Sequence, residues 1–282
     1  ILILNSIACP FTVLLNVLVI IAVRKRPSLQ SNTNILLSCL AVTDLLTGLL
    51  AQPSFVIWKA FYVLKNARDI TAVDEVKEIH NYFVRVLNIS SSLHLILLTC
   101  ERLLAIKYTN HYSYIVRKRN FKVSVLAIWS FSFMTGVLDI MKLLNFFTMY
   151  FSVIFIVIAY ITLYRETLRH RKRIIKQQLP QTEIERFVKE NKALKTTVLV
   201  VGTIIFCFLP KSIYQLLTTV FRKRNQVPLF SSDKQMEILV IMVRTLSMLN
   251  SFVNPLIYCM RQKEMRKFVF SLRPSNTINP VN

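Results

Sequence analysis

Asp44 stands in Leu40-Ala41-Val42-Thr43-Asp44-Leu45-Leu46, an apolar setting that an ionisable group enters only at a cost. A carboxylate there is either protonated or takes up a cation. Asn16, Ser91, Asn250, Ser251 and Asn254 occur at plausible depth in other apolar runs and could join it. Oxygen donors around one carboxylate suit a hard monovalent cation; the same groups without an ion make a hydrated hydrogen-bond network. A second charged feature is Thr99-Cys100-Glu101-Arg102-Leu103-Leu104-Ala105-Ile106, which closes the third apolar run. Arg102 can pair with its neighbour Glu101 or with Glu190, and one arginine with two alternative partners is a switch. An interfacial pair snorkelling towards water is the plainer use of the same residues. A third set, Arg85, Asn88, Lys211, Gln215 and Arg244, falls near the opposite ends of the runs. Arginines in a membrane pocket invite a carboxylate or phosphate. Pairing with Asp139 or Glu237, or outward snorkelling, is the alternative for Arg85 and Arg244.

Long apolar elements must position these groups. The chain is 54% hydrophobic, with a mean hydropathy of +0.47, yet its formal charge is +22. Apolar runs divided by basic loops account for both. Nucleic-acid binding is excluded, because the cations lie between runs of spanning length and form no single basic face. Three ungrouped glycines make no phosphate-cradling loop, and four histidines show no metal-ligand spacing. Cys9, Cys39, Cys100, Cys207 and Cys259 all fall within or at the end of apolar runs, as packed thiols do. The sequon Asn88-Ile89-Ser90 is mid-run and is discounted for glycosylation. Ile1 is already inside an apolar run, which predicts that the chain continues before it and is a fragment.

A spanning helix needs about 20 mostly apolar residues. Seven runs qualify: 1–23, 33–57, 78–106, 121–141, 145–168, 193–220 and 235–259. Basic clusters at Arg24-Lys25-Arg26, Arg117-Lys118-Arg119, Arg169 to Lys176 and after Tyr258 mark one side as cytoplasmic. That places the N-terminal side outside and the C-terminus inside; Arg222-Lys223-Arg224 is the exception. The seventh run contains Asn250-Ser251-Phe252-Val253-Asn254-Pro255-Leu256-Ile257-Tyr258, polar and kinkable. Residues 260–272 form a basic amphipathic helix suited to a membrane face, and 273–282 a tail. The runs Arg169 to Lys176 and Arg261 to Lys267 are expected to touch anionic inner-leaflet lipid.

Together these landmarks resemble the rhodopsin-like (class A) G-protein-coupled receptors. The resemblance implies an all-α membrane protein, a seven-transmembrane bundle over 1–259 plus a short cytoplasmic helix. It implies a sodium site at Asp44, Ser91, Asn250 and Ser251. It also implies an activation switch of Glu101, Arg102, Tyr160, Glu190, Phe208, Pro210, Asn254, Pro255 and Tyr258, with Tyr258 and Tyr160 joining Arg102 at the cytoplasmic end. Leu103 replaces the family's usual aromatic residue and Phe208 its usual tryptophan, while Asn16 and Trp129 match. On this resemblance the protein is a plasma-membrane receptor, without catalysis of its own, that takes an extracellular ligand and activates a heterotrimeric G protein by outward movement of the sixth helix.

The outer half departs from the family. Lys77 stands where a cysteine is usual, and Ser152 where a proline is usual. From Trp129 to Tyr160 the chain reaches only about 46 Å as helix, which leaves a minimal second outer loop. These departures resemble the melanocortin-like and lipid-receptor branch. The acidic residues that melanocortin receptors use for a basic peptide are unmatched, since Ser54, Lys77 and Asn81 stand there. Val84 replaces the aspartate of amine receptors and Met248 the retinal-binding lysine of opsins. The candidate ligand residues are therefore Asn81, Val84, Arg85, Asn88, Lys211, Gln215 and Arg244, and the expected ligand is anionic: a lipid, an organic acid or a peptide C-terminus. Two other classes remain open. A receptor fold that has lost signalling would account for Phe208 and Leu103. A channel or transporter would use Asp44 and the broken seventh helix as an ion path, but it predicts internal repeats, and none is found.

Overall fold

The computed structural model describes residues 2–64, 70–107, 112, 118–137, 142–177, 233–270 and scattered positions from 181 to 213. The described elements are all helical: α1 (Leu2–Lys25), α2 (Asn32–Leu46), α3 (Gln52–Leu64), α4 (Ile70–Lys107), α5 (Lys118–Val137), α6 (Lys142–Gln177), α7 (Asp233–Arg261) and α8 (Lys263–Phe270). Among the described residues five stretches are long and apolar enough to cross a membrane: Leu2–Lys25, Asn32–Phe61, Ala72–Lys107, Tyr150–Arg169 and Ile238–Met260. The predicted span 193–220 lies largely outside the described residues, although Val198, Gly202, Phe206 and Pro210 within it are helical.

α1 shows how such a helix is sorted. Asn5, Ala8, Thr12, Asn16, Val19 and Val23 recur at intervals of three and four and are buried, while Ile3, Ile7, Phe11 and Leu14 face outward. Polar groups inward and bare apolar groups outward reverse the soluble pattern, because lipid is the outer solvent. α6 repeats it, with Phe151, Ile154, Ile158 and Ile161 exposed and Ser152, Ile156, Ala159 and Leu163 buried.

Ser31 caps α2, its hydroxyl oxygen accepting the Asn34 amide at 3.3 Å. α2 and α3 run on through a widened π turn at Thr47–Ala51. Pro53 follows directly and has no N–H to give the turn before it, so the helix loosens there. Gly48 in that turn lets α1 approach: a Cβ would come within 3.0 Å of Val13 Cγ2, and Cys9 Sγ donates to the Gly48 carbonyl at 3.1 Å.

α4 is the central element, packed against α2, α3, α5 and α6. At Gly136 α5 lies so close to it that a Cβ would overlap Val86. α1 packs on α2 and α7, and α8 folds back on α1 and α7. A large apolar core around Val19, Leu36, Leu40, Leu98 and Tyr258 occupies the Arg102 end of the bundle. α8 sends Met265 and Val269 into this core and leaves Lys263, Glu264, Arg266 and Lys267 exposed. Gln262 ties the α7–α8 junction to α2, its Nε2 donating to Asn34 Oδ1 at 2.8 Å. A smaller apolar cluster of Phe55, Trp58, Val73 and Met248 sits at the other end.

Candidate functional site

Helices α1, α2 and α7 bring the mid-bundle polar residues together. Asp44 is 2% exposed, and Asn254 Nδ2 donates to its Oδ2 at 2.8 Å. The Ser251 side chain borders the same cavity as that carboxylate. Asn16 Nδ2 reaches across from α1, donating to the Ser251 carbonyl at 2.9 Å and to the Thr12 carbonyl at 2.8 Å. The Asn16 bond to Ser251 matters because Pro255, four residues on, cannot donate to that carbonyl, so the amide of another helix takes the place of the missing bond.

Beside Asp44 is a cavity with room for one water-sized guest, bordered by Asn88, Ser91, Asn250 and Ser251. Asn250 Oδ1 is buried there without a hydrogen-bond partner among the described residues. An acceptor oxygen left over beside a carboxylate and two hydroxyls is what a small hard cation would use. The four residues expected to hold sodium therefore border one space, and the donor set fits the ion. Among the described residues no three His, Cys, Asp or Glu side chains converge as a soft-metal site requires.

At the Arg102 end the geometry is a closed ion pair. Arg102 Nε donates to Glu101 Oε2 at 2.7 Å and Nη2 to Oε1 at 2.9 Å, with both residues only 4% exposed. Such two-bond pairing combines charge with fixed geometry. Thr33, at the start of α2, lies against both partners: its hydroxyl is 3.3 Å from Glu101 Oε2 and accepts from Arg102 Nη2. Tyr112 adds a third contact, its hydroxyl donating to Glu101 Oε1 at 2.6 Å and accepting from Asn32 Nδ2 at 3.0 Å. Burial pushes the Tyr112 hydroxyl well above the usual tyrosine range, and the Glu101 charge adds to this. The donor proton is therefore retained at neutral pH. Tyr112, Thr33 and Asn32 are absent from the sequence-predicted set. Their one signal was topological, since the start of α2 and the end of α4 lie on the same side of the bundle.

The remaining switch residues divide. Tyr160 is half-buried and packs on the core containing Tyr258, whose ring is fully buried. The Tyr258 hydroxyl has no hydrogen-bond partner among the described residues. Pro255 is buried inside α7, and Pro210 is a half-buried helical position. Glu190 and Phe208 lie outside the described residues, as do Asp139, Lys211 and Gln215 among the other candidates.

The far end brings together fewer of its candidates. Arg244 Nη1 donates to Asn81 Oδ1 at 3.2 Å, and its guanidinium carbon lies 5.0 Å from the Trp58 ring centre. Lys59 is only 6% exposed, and its Nζ lies 4.7 Å from the same ring. His80 is fully buried, with Nδ1 3.1 Å from both the Ser54 hydroxyl and the Ala51 carbonyl. Arg85 turns away to the α4–α5 seam, donating to the Gly136 carbonyl at 3.4 Å. Val84 and Asn88 border the Asp44 cavity. Trp58, Lys59 and His80 were missed because nothing in a linear reading marks a lysine at the end of an apolar run as buried. All five cysteines are free thiols.

The family profile described as 7 transmembrane receptor (rhodopsin family) matches residues 15–145 and 139–258. Melanocortin receptor 5 of Mus musculus is 27% identical over 264 residues, which covers 89% of this chain and 77% of that protein. Melanocortin receptor 5 of Homo sapiens is likewise 27% identical over the same shares of each chain. Melanocortin receptor 4 of Danio rerio is 26% identical over 262 residues, again 89% of this chain and 77% of that protein.

Proposed function

The chain belongs to the rhodopsin family of seven-transmembrane receptors, and from that premise we propose that it senses an extracellular ligand at the plasma membrane and activates a heterotrimeric G protein. In this reading its N-terminal side faces outward and α8 lies on the cytoplasmic side. The observation that carries the proposal is the buried Glu101–Arg102 pair, held by Thr33 and Tyr112. This is a resting arrangement: Arg102 is occupied and sequestered, so a partner protein can use it only after the surrounding helices move. Pro210 is the hinge for that movement, and the buried Tyr258 hydroxyl, without a hydrogen-bond partner among the described residues, is a group that gains a bond when the packing changes. The ligand selects the open arrangement by binding it better, and the required bias is a few kcal/mol. No catalytic step occurs in the receptor; nucleotide exchange is completed on the partner.

Sodium belongs to the same scheme as an inhibitor of opening. Asp44, Ser91, Asn250 and Ser251 would hold it, and when bound it supplies positive charge beside a buried carboxylate. The Asn254–Asp44 and Asn16–Ser251 bonds already tie α7 to α2 and α1. The ligand is an anionic amphiphile. What supports an acidic ligand is that two cations, Lys59 and Arg244, lie against Trp58 at that end of the bundle. The relatives are named as melanocortin receptors; this chain shares their fold and takes a ligand of different charge.

The deciding experiment is guanine-nucleotide exchange on heterotrimeric G proteins with the receptor in lipid nanodiscs. Basal or ligand-driven exchange that disappears in Arg102→Ala is the expected outcome. Ion flux without exchange would assign the protein to the channel class, and neither activity across the G-protein families would make it a silent receptor fold.

A further inference from the structure

Four consecutive residues at the start of α2 are each committed to a different neighbour. Ser31 caps the helix: its hydroxyl oxygen accepts the Asn34 amide at 3.3 Å and its carbonyl the Ile35 amide at 2.9 Å. Asn32 Nδ2 donates to the Tyr112 hydroxyl at 3.0 Å. Thr33 lies against Glu101 and Arg102, its hydroxyl 3.3 Å from Glu101 Oε2. Asn34 Oδ1 accepts from Gln262 Nε2 at 2.8 Å. Successive helical residues point about 100° apart with a rise of about 1.5 Å, so a single turn serves three directions. A capped turn moves as a unit, and a shift that breaks one of these contacts disturbs the other two.

Gln262 is the joint between α7 and α8. Its amide donates to the Tyr258 carbonyl at 2.9 Å, and its carbonyl accepts the Arg266 amide at 2.9 Å, so its backbone belongs to both helices. Its side chain goes to α2. Only one end of the carboxamide is used there, because Oε1 is buried without a hydrogen-bond partner among the described residues. An apolar side chain of the same shape would seal the joint without that unmet acceptor, so the polar choice needs another reason.

We infer that Asn34 and Gln262 are positioning residues for the Glu101–Arg102 lock, through which the seating of α8 holds the first turn of α2 against that pair. This deepens the receptor reading above and rests on it. α8 is seated by Met265 and Val269 in the core beside Tyr258. Arg26, just past α1, adds to this, its guanidinium carbon 5.8 Å from the Phe268 ring centre. While α8 sits there, Gln262 fixes Asn34, and the same turn delivers Thr33 and Asn32 to the lock. When the α7–α8 joint shifts, the turn is released and Arg102 loses Thr33.

3-Fluorotyrosine placed at position 112 reports the lock directly, since that hydroxyl donates to Glu101. In the full chain in nanodiscs, Glu101→Gln gives the fluorine resonance of a weakened lock. Gln262→Met and Asn34→Leu keep the side-chain size and remove the bond. Each should move the resonance towards that of Glu101→Gln and raise basal nucleotide exchange roughly fivefold. Asn34→Asp keeps the acceptor for Gln262 and should leave both readouts where they are in the unmodified protein. Thr33→Val combined with Gln262→Met should raise exchange by less than the product of the single effects, as coupled residues do. Lys267→Gln, on the exposed face of α8, is the control and should change neither readout. A lower melting temperature in Gln262→Met and Asn34→Leu with the resonance unmoved would reduce the contact to local structure and overturn the inference. A full product in the double variant would overturn it too. The fluorine readout needs no G protein, so a moved resonance without exchange in any variant would uphold the tie and sink the receptor reading instead.

Discussion

The two ends of the bundle hold their arginines in opposite ways. Arg102 is closed off by a carboxylate at 2.7 Å, a threonine and, through Glu101, a tyrosine. Arg244 rests on an aromatic face and a neutral amide, beside a second cation on the same ring. A buried pair of opposite charges is self-sufficient and resists outside partners, whereas an aromatic face holds a cation more weakly, through its quadrupole. The first end is a closed ion pair, and the second is an aromatic cluster with two cations against one indole. The residues the sequence shares with its family gather at the first end, and its departures gather at the second.

Four substitutions would break or sharpen that contrast. The largest effect is expected from Glu101→Ala, which strands a buried arginine; losing one partner of such a pair costs about 3–5 kcal/mol. The resting arrangement should collapse and basal nucleotide exchange should rise about 100-fold, and an unchanged basal rate would mean that the pair is not a lock. Tyr112→Phe removes a hydrogen bond to a charged acceptor worth about 1.5–3 kcal/mol. Basal exchange should rise roughly tenfold with the melting temperature little changed, since Phe retains the ring packing.

Arg244→Gln tests the other end. Loss of its contact with Trp58 is worth about 0.5–2 kcal/mol, to be read as a modest fall in thermal stability, and basal exchange should be untouched. A rise in basal exchange comparable to that of Tyr112→Phe would erase the proposed division of labour. Least affected should be Lys267→Gln on α8. Its ion pair with Glu264 spans 3.7 Å between exposed side chains, and such pairs contribute about 0–1 kcal/mol. Stability and exchange should both match the unmodified protein.

Much of the first end was legible in the sequence because its residues break local rules. Asp44 and the Glu101–Arg102 pair interrupt apolar runs, and Pro255 interrupts a helix, so each announces itself without a partner in view. Their companions do not. Asn32 and Thr33 look like ordinary helix-start residues, and Tyr112 looks like an ordinary tyrosine between two helices. Only packing brings Thr33 and Tyr112 to Glu101, across 68 and 11 positions, and Asn32 to Tyr112 across 80, separations that no periodicity reports. The far end was harder to read, because a lysine after a tryptophan ordinarily reaches towards water. Arg85 and Arg244 looked equivalent in the sequence; the Gly136 carbonyl on one side and Trp58 on the other separate them.

By itself, the sequence determined the class of the molecule: apolar run length, the placement of basic loops and polar residues inside the runs together dictate a helical bundle in lipid with a polar interior. That follows because lipid forces each helix to satisfy its own backbone and to turn its polar side chains inward. Which inward side chains meet was decided only by the tertiary structure. Helix rotation and depth are set by close contacts such as Gly48 on Val13 and Gly136 on Val86, between positions 35 and 50 residues apart. Those contacts placed Asn254 on Asp44, Tyr112 on Glu101, and Lys59 and Arg244 on a single indole.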